Sequence, residues 1–324
     1  MELSALGERE LISLIRKKFS CLPPDVLVGI GDDAAVVRAG KEFLLITKDL
    51  LIEDVHFLSS FHPPFLLGRK SLNVNLSDIA SMGGVPRFAL LGLGLPARTD
   101  LGWMNEFFSG FKEAANESGV ALVGGDISKA NKILISVTLI GRGKNVVQRN
   151  GAKPGHLIYV SGTLGNAMQG LFLLKKGYRL GQDKKADFFL QSFLNPEPQV
   201  ALGQELSRLR LASSMIDVSD GLSVDLNHIC EESKVGAEIR VDLLPVSSRM
   251  SHFKERPHTR VLHGGEDYQL LFTVPPALEK SVNRLKKKYK ISLIGKITRK
   301  MEVYLVDSCG KRTLLRIRGY EHFK

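Results

Sequence analysis

The stretch KILISVTLIGRGKNVVQRNGAKPGHLIYVSG, residues 132–162, indicates how the chain is divided into domains. Its first ten residues, 132–141, alternate inward- and outward-facing side chains with the period of a half-buried β-strand. Glycine, proline and charged residues then crowd into 141–156, a composition typical of a connection between domains. The apolar run LIYVSG begins another strand directly afterwards. The stretch therefore predicts two domains with a boundary near residue 148.

Apolar runs alternate with helical patterns on both sides of this boundary, as expected for an α/β or α+β protein. In the first domain we predict strands at 43–47, 87–95, 121–125 and 132–141 and a helix at 104–119. In the second we predict helices near 164–176, 199–211 and 221–233 and strands near 157–162, 269–274, 291–295 and 302–306. The sequence therefore predicts a mixed α/β (α+β) fold in two parts.

The composition is typical of a soluble globular protein, since 44% of the 324 residues are hydrophobic and 24% are charged. No apolar run reaches the roughly 20 residues of a membrane span, and the amino terminus lacks the pattern of a signal peptide. The three cysteines form no CxxC pair, which favours a reducing cytoplasm. The formal charge is +11, but its densest run, RLKKKYK at 284–290, is typical of a solvated helix face. We therefore expect neither a nucleic-acid nor a membrane partner.

Aspartates recur at one kind of position, beside Gly, Ser or Asn at the end of an apolar run. They are Asp32, Asp33, Asp49, Asp78, Asp126, Asp217 and Asp220. Where a strand passes into a loop or a helix, side chains lie in clefts. One such Asp is more often a helix cap or a turn residue, but caps do not explain the whole set. Because Mg²⁺ binds carboxylates together with phosphate oxygens, the pattern predicts a metal–phosphate site.

Three other stretches combine glycines or a histidine with acids. In HGGEDYQLLF, residues 263–272, Glu266 and Asp267 follow a Gly-Gly turn, which fits a charged hairpin as well as a functional loop. His56 lies between Val55 and Phe57, a setting in which a histidine is usually only partly buried and satisfied. The glycines of VGGD allow the backbone to approach a phosphate closely. The chain has no GxxxxGK[ST] loop and no kinase HRD or DFG motif, so a nucleotide site requires another design.

Six segments in this order resemble the thiamine-monophosphate kinase family, which belongs to the superfamily of aminoimidazole ribonucleotide synthetase. They are GIGDDAA, KSLNVNLSDIASMGG, GGDIS, NGAKPGHLIYVSGTLGNA, IDVSDGL and GGEDYQLLFT. The resemblance implies ATP-dependent phosphorylation of thiamine phosphate to thiamine diphosphate with several Mg²⁺ ions. It also implies an N-terminal sheet or barrel domain, 1–148, that binds ATP and Mg²⁺ and forms a homodimer. A C-terminal α/β domain, 149–324, then completes the nucleotide and substrate sites.

The resemblance also assigns roles to individual residues. The metal-binding positions fall on Asp33, Thr47, Asp49, Asp78, Asp126, Asp217 and Asp220. The ATP contacts fall on Phe108, Gly125, Asp126, Arg149 and Ser219. The contacts to the thiamine moiety fall on His56, Glu266 and Tyr320. Asp33 is then the expected ligand of the Asp-Asp pair, while Asp32 orients the loop.

Three positions depart from the family pattern. Lys48 stands beside Thr47 and Asp49 where the family usually has a threonine, which puts an ammonium or only its backbone carbonyl near the metals. Phe108 keeps an aromatic face but lacks the usual tyrosine hydroxyl, and Tyr320 stands where a tryptophan is frequent. The first departure bears on the number of bound metals.

The charges explain why so many acids are needed. ATP and thiamine phosphate together carry roughly 5–6 negative charges, and the acceptor phosphate is already ionised, so no general base is required. Six aspartates add roughly 6 more charges, which about five divalent ions would balance. Arg149 can add a fixed positive contact. Tyr320 can face the cationic thiazolium, and Glu266 can accept a hydrogen bond from the aminopyrimidine.

Three other functions fit parts of the sequence. Selenophosphate synthetase needs an amino-terminal reactive Cys or selenocysteine in a glycine-rich setting, which Cys21 lacks. An aminoimidazole ribonucleotide synthetase-like enzyme fits GGEDYQLLF and GYEHF less well. A non-catalytic nucleotide-binding homologue, with a metal displaced by Lys48, stays open.

Overall fold

The computed structural model describes residues 7–252 and 257–319 and contains two β-sheets. The first sheet has six strands in the order β1-β2-β3-β6-β4-β5, with β4 and β5 parallel and the other neighbours antiparallel. Its strands are β1 (Val26–Val28), β2 (Ala35–Ala39), β3 (Glu42–Ile52), β4 (Val85–Leu95), β5 (Ala121–Lys129) and β6 (Leu134–Gly143). The sheet is open, with β1 and β5 at its edges.

Two long helices cover one face of this sheet, and a shorter helix, α1 (Glu8–Lys18), precedes it. Helix α2 (Pro64–Ser81) contacts β3 and β6 and packs along α3 (Leu101–Ser118). The two helices approach closely because each has a glycine at the crossing. A Cβ atom would lie 2.0 Å from the Phe107 carbonyl oxygen at Gly68 and 1.8 Å from the Phe65 carbonyl oxygen at Gly110. Larger residues at these two positions would force the helices apart.

The second sheet has seven strands in the order β13-β12-β9-β11-β7-β10-β8. They are β7 (Leu157–Ser161), β8 (Ser214–Asp217), β9 (Gly236–Arg240), β10 (Leu270–Val274), β11 (Ile291–Thr298), β12 (Val303–Val306) and β13 (Arg312–Leu314). The helices of this half are α4 (Asn166–Lys175), α5 (Lys184–Leu194), α6 (Val200–Arg208), α7 (Leu222–Ser233), α8 (Pro257–His263) and α9 (Glu279–Leu285). Short 3₁₀ turns lie at Arg149–Gly151, Val241–Leu243, Ser248–His252 and Pro276–Leu278.

The two halves share a contact surface as well as having cores of their own. One apolar cluster fills the space between the first sheet and helices α2 and α3. A second lies mainly between the second sheet and α7. Ala80 of α2 and Val147 belong to a third cluster together with residues of β8 and β10, so α2 packs against both halves. Within residues 7–252 and 257–319, none of the helices combines the length and the apolarity that a membrane crossing requires.

The predicted strands and helices all occur in the structure, with ends shifted by a few residues. The α/β (α+β) fold class in two parts is confirmed, and the boundary near residue 148 stays a prediction. Helix α2 was missed, because its polar residues are buried along with its apolar ones. The expectation that the aspartates lie where a strand passes into a loop or a helix was wrong for three positions. Asp78 lies in the last turn of α2, and Asp49 and Asp126 lie inside β3 and β5.

Candidate metal and substrate site

Three of the predicted aspartates converge from different parts of the fold. Asp33 lies in the loop before β2, Asp78 in the last turn of α2, and Asp217 at the end of β8. One carboxylate oxygen of each lies within 4.8 Å of the others. The cluster is therefore built from both halves of the chain, and α2 brings the halves together.

Hydrogen bonds from neighbouring side chains hold these carboxylates in place. The hydroxyl of Ser77 donates to Asp217 over 2.6 Å. Thr47, on β3, donates its hydroxyl to Asp78, and the guanidinium of Arg149 donates to Asp33. Each carboxylate thus has a donor from another element, which fixes its orientation.

Asp32 makes different contacts from its neighbour Asp33. Its carboxylate accepts the backbone N–H of Asp33 over 3.0 Å and that of Arg149 over 3.2 Å. These bonds tie the loop before β2 to the start of the second half of the chain. Asp32 therefore orients the loop, while the carboxylate of Asp33 points into the cluster.

The cluster has an unfavourable concentration of buried negative charge. Burial, followed by repulsion from Asp33, raises the pKa of Asp217 to about 8 and that of Asp49 to about 6. Burial and three neighbouring carboxylates raise the pKa of Asp78 well above its ordinary value. Burying several like charges together is costly unless a cation or a proton neutralises them.

The residues of the cluster fit a hard divalent cation. All the available donors are carboxylate or hydroxyl oxygens, the donor set that Mg²⁺ prefers. Oδ2 of Asp33 is buried and has no hydrogen-bond partner among the described residues. An orphaned carboxylate oxygen that faces two further carboxylates is available to bind such an ion.

A cavity of about 830 Å³ lies next to the cluster, and Asp49, whose charge repels Asp78 of the cluster, lines it. Ser219 and Asp220 line this cavity, as do His56 and Glu266. Its apolar wall includes Leu51, Phe57, Leu58, Phe61, Leu171 and Phe193. A pocket with an apolar wall and a few convergent polar groups is typical of a small-molecule site.

Two of the three residues predicted to contact the thiamine moiety, His56 and Glu266, are held by specific bonds. Nδ1 of His56 accepts the backbone N–H of Ile52 over 3.0 Å, which leaves the ring proton on Nε2. Glu266 has a backbone φ of 65°, a left-handed conformation that is strained for a non-glycine residue. Its backbone N–H donates to the backbone carbonyl of Ser219 over 2.7 Å, so this bond joins the two loops that line the cavity.

Three of the predicted nucleotide contacts lie apart from this cavity in the single chain. Phe108 is on the outer helix α3 and is 37% exposed. Gly125 and Asp126 lie on the exposed edge strand β5. Gly125 is aligned across β4 and β6 with Asp49, three strand spacings or about 14 Å away. Tyr320 lies outside the described residues.

Lys48 does not enter the carboxylate cluster. Successive side chains of a strand point to opposite faces, and its neighbours Thr47 and Asp49 both face the cluster. Lys48 is exposed on the other face of β3, whose pairing with β6 is regular along its length. Its ammonium therefore takes no position among Asp33, Asp78 and Asp217.

The sequence analysis missed three residues of α2 that support the site. Lys70 donates to Glu266, Ser77 donates to Asp217, and Asn75 accepts the backbone N–H of Asp49 over 3.2 Å. The stretch KSLNVNLSD shows polar residues at helical spacing between apolar ones. Polar residues on both sides of a buried helix could have indicated that it supports a site.

Comparisons with known proteins agree with this architecture. Residues 31–143 match the family model of AIR synthase related protein, N-terminal domain, and residues 153–308 match the C-terminal domain of the same proteins. The two sheets, with a carboxylate cluster between them, are thus those of an AIR synthase related protein.

Full-length relatives define the family more narrowly. The thiamine-monophosphate kinase of Escherichia coli (strain K12) is 37% identical over 98% of this chain and 99% of its own length. The enzyme of the same name from Aquifex aeolicus (strain VF5) is 38% identical over 85% of this chain and 88% of its own. The solved structure of AaThiL complexed with AMPPCP and TMP superposes with a TM-score of 0.89 at 35% identity, over 99% of each chain. The chain belongs to the thiamine-monophosphate kinase family.

Proposed function

We propose that this protein transfers the terminal phosphoryl group of ATP directly to thiamine monophosphate, forming thiamine diphosphate. One observation carries the proposal: the buried cluster of Asp33, Asp78 and Asp217 adjoins, through Asp49, a cavity of about 830 Å³. The site thus offers carboxylates for metal–phosphate binding beside a pocket for an organic ring. Relatives named thiamine-monophosphate kinase, and the likeness to a structure with AMPPCP and TMP bound, support this choice of substrates.

Several Mg²⁺ ions are part of the proposal. The residues that would hold them are Asp33, Thr47, Asp49, Asp78, Asp217 and Asp220. Asp126 is proposed as a further ligand on family resemblance, because strand β5 places it apart from the cluster. When bound, Mg²⁺ neutralises phosphate charge and brings the two anionic substrates together. The donor set and the orphaned oxygen of Asp33 support this assignment.

The chain's own residues then position the reactants. Arg149 is at the cluster and would contact the nucleotide phosphates with its guanidinium. Ser219 lines the cavity and would contact the nucleotide. His56 and Glu266 would contact the thiamine rings, Glu266 by accepting a hydrogen bond from the aminopyrimidine. No side chain has to remove a proton from the acceptor, because a phosphate monoester is largely ionised near pH 7.

The remaining nucleotide contacts, Phe108, Gly125 and Asp126, and the thiamine contact Tyr320 are proposed on family resemblance. We also propose a homodimer joined through the first sheet. Every residue of the edge strand β5 is exposed, including Leu122, Val123 and Ile127. An exposed apolar edge strand is usually covered by another chain.

A size measurement tests the dimer. We expect the wild-type protein to elute as a dimer in size exclusion with light scattering and Ile127→Lys to elute as a monomer. Leu101→Lys is the matched control, because Leu101 is 79% exposed at the start of α3. A monomeric wild-type protein would contradict the proposed dimer but not the proposed reaction.

The domain roles follow the same proposal. Residues 1–148 would bind ATP and Mg²⁺ and form the dimer, and residues 149–324 would complete the nucleotide and substrate sites. The arrangement of β1–β6 in one sheet and β7–β13 in the other supports this division. A cytoplasmic location is supported by three cysteines that are all free thiols.

Release of ADP tests the function. Purified protein with ATP and Mg²⁺ should release ADP when thiamine phosphate is present, and should not when free thiamine replaces it or when EDTA removes the metal. Tight ATP binding without turnover of thiamine phosphate would favour the non-catalytic alternative. ADP release with formylglycinamidine ribonucleotide as the only co-substrate would favour the aminoimidazole ribonucleotide synthetase alternative.

A further inference from the structure

Lys70 is the one lysine whose side chain is fully buried in the part of the chain that the structure describes. It lies on α2 and reaches across to the second half of the chain. Its ammonium donates to Oε2 of Glu266 over 2.9 Å and to the backbone carbonyl of Phe193 over 3.0 Å. The same nitrogen is 4.0 Å from the centre of the Phe193 ring. A buried ammonium with this many partners has little freedom to move.

Glu266 is held in one direction by this contact. Its side chain is 27% exposed and lines the cavity, while the side chain of Lys70 is 1% exposed behind it. Among the described residues, Oε2 is the carboxylate oxygen with a hydrogen-bond partner, so Oε1 is the oxygen left for a ligand in the cavity. A carboxylate that is fixed before a ligand binds loses less conformational entropy on binding.

Helix α2 connects this contact to the carboxylate cluster. Lys70, Val74 and Asp78 are spaced four residues apart and lie on one face of the helix. Val74 lines the cavity between them. Eight residues of α-helix span about 12 Å, so one rigid element sets the separation between Glu266 and the cluster.

We propose that Lys70 is a positioning residue that fixes Glu266 for recognition of a hydrogen-bond donor on the substrate ring. This inference rests on the proposed function and deepens it, because it explains selection of the ring rather than transfer of the phosphate. Lys70 touches no substrate and acts through Glu266. It thereby sets the preference for a ring that carries an amino group at that position.

A substrate pair measures this preference. Oxythiamine phosphate has an oxo group in place of the 4-amino group of thiamine phosphate, so it presents an acceptor to Glu266. We expect Lys70→Met to lower the preference for thiamine phosphate, the ratio of the two kcat/KM values, about tenfold or more, with the KM for ATP within about twofold. Glu266→Gln should also lose the preference. Lys70→Met should add little in the Glu266→Gln background, because the two residues act as one unit.

The control is Arg69→Met, which removes a cation from the adjacent position of α2. Arg69 pairs with the exposed Glu113 and Glu117 instead of facing the cavity, so the preference should stay at the wild-type value. The proposal would be overturned if Lys70→Met kept the wild-type preference for thiamine phosphate. It would also be overturned if Lys70→Met lowered that preference equally in the wild type and in the Glu266→Gln variant. If the wild type fails to use thiamine phosphate at all, the proposed function fails first, and the two failures are thereby distinguished.

Lys70→Arg keeps the test decisive if Lys70→Met does not fold, as judged by its unfolding temperature. The guanidinium retains the charge but moves the donor atoms. We expect this variant to raise the KM for thiamine phosphate by about threefold or more while the KM for ATP stays within about twofold. An unchanged KM for thiamine phosphate would overturn the proposal.

Discussion

The hydroxyl of Ser77 donates a hydrogen bond of 2.6 Å to Asp217, and this bond joins a helix of the first half to a strand of the second. Both side chains are buried. Asp217 therefore has its orientation set from outside its own sheet. The relationship explains how a cluster of carboxylates from distant parts of the sequence keeps one geometry.

Removing this hydroxyl should weaken metal binding. We expect Ser77→Ala to raise the Kd for Mg²⁺ about tenfold, because partners that orient a metal ligand typically contribute 10–100-fold to affinity. Titration calorimetry measures the Kd. Ser71→Ala is the matched control, since Ser71 is a buried serine of the same helix whose hydroxyl bonds to Gly68 over 2.8 Å. Equal affinity in Ser77→Ala and the wild type would show that Ser77 does not orient the ligand.

Neutralising one acid of the cluster should stabilise the metal-free protein. Asp78 is repelled by Asp49, Asp217 and Asp33, so the folded chain must either hold the charge or take up a proton. The buried charge and the uptake of a proton each lower the free energy of unfolding. Asp78→Asn avoids both, and its amide oxygen can still accept the hydrogen bond from Thr47. We therefore expect the free energy of unfolding in EDTA to increase in Asp78→Asn.

Urea unfolding with and without Mg²⁺ checks this expectation. The wild type should gain stability on addition of Mg²⁺, whereas Asp78→Asn should gain much less. Asp242→Asn removes a surface charge paired with Arg240 and should leave the free energy of unfolding close to that of the wild type. A large loss of stability in metal-free Asp78→Asn would contradict the description of the cluster as repulsive.

Lys48 should have little influence on the buried cluster. Its side chain is on the face of β3 opposite to Thr47 and Asp49. Lys48→Thr, which restores the residue usual in the family, should therefore leave the Mg²⁺ affinity of the cluster within about twofold. Titration calorimetry of Mg²⁺ into the metal-free wild type and the metal-free variant measures both affinities. A tenfold change in affinity would place the ammonium near the metals after all.

His62 should make stability fall in mild acid. Burial, and then the nearby charge of Lys70, hold the pKa of His62 well below its ordinary value. The unfolded chain takes up this proton near pH 6.5 and the folded chain only at lower pH. Between these values the unfolded state binds more protons, so stability decreases as the pH falls below about 6.5, by up to about 1.4 kcal/mol per pH unit.

The comparison of wild type with His62→Gln isolates this contribution. Nε2 of His62 lies 3.1 Å from the backbone carbonyl of Leu194, and a glutamine amide can donate there instead. The raised pKa values of the buried aspartates act in the opposite direction in both proteins and cancel in the difference. The difference in unfolding free energy should therefore change between pH 7 and pH 5. A pH-independent difference would contradict the assignment of a neutral imidazole in the folded protein.

The local patterns of the sequence predicted the strands well but not the helix that organises the site. The alternation in 132–141 predicted strand β6, because exposure on one face leaves a period of two. Helix α2 has no such pattern, since Lys70, Asn75 and Ser77 are buried together with its apolar residues. Its helical form depends on packing against α3 and both sheets, which periodicity cannot reveal.

The sequence predicted which types of residue form the site, but only partly where in the fold they lie. The repeated setting of Asp33, Asp78 and Asp217 indicated a metal–phosphate site, and the structure brings these three together. The contacts of Lys70 with Glu266 and of Ser77 with Asp217 join residues 196 and 140 positions apart. Pairings at such separations follow from the tertiary fold, so no local pattern predicts them.

Transfer of label from [γ-³²P]ATP in a single turnover tests the central claim most directly. Excess protein is mixed with labelled ATP, Mg²⁺ and thiamine phosphate, and the products are separated at successive times. The account predicts that the label appears in thiamine diphosphate in an amount equal to the ADP formed, and that Asp78→Asn abolishes the transfer. Label found in inorganic phosphate alone, or no loss of ATP with all substrates bound, would contradict it.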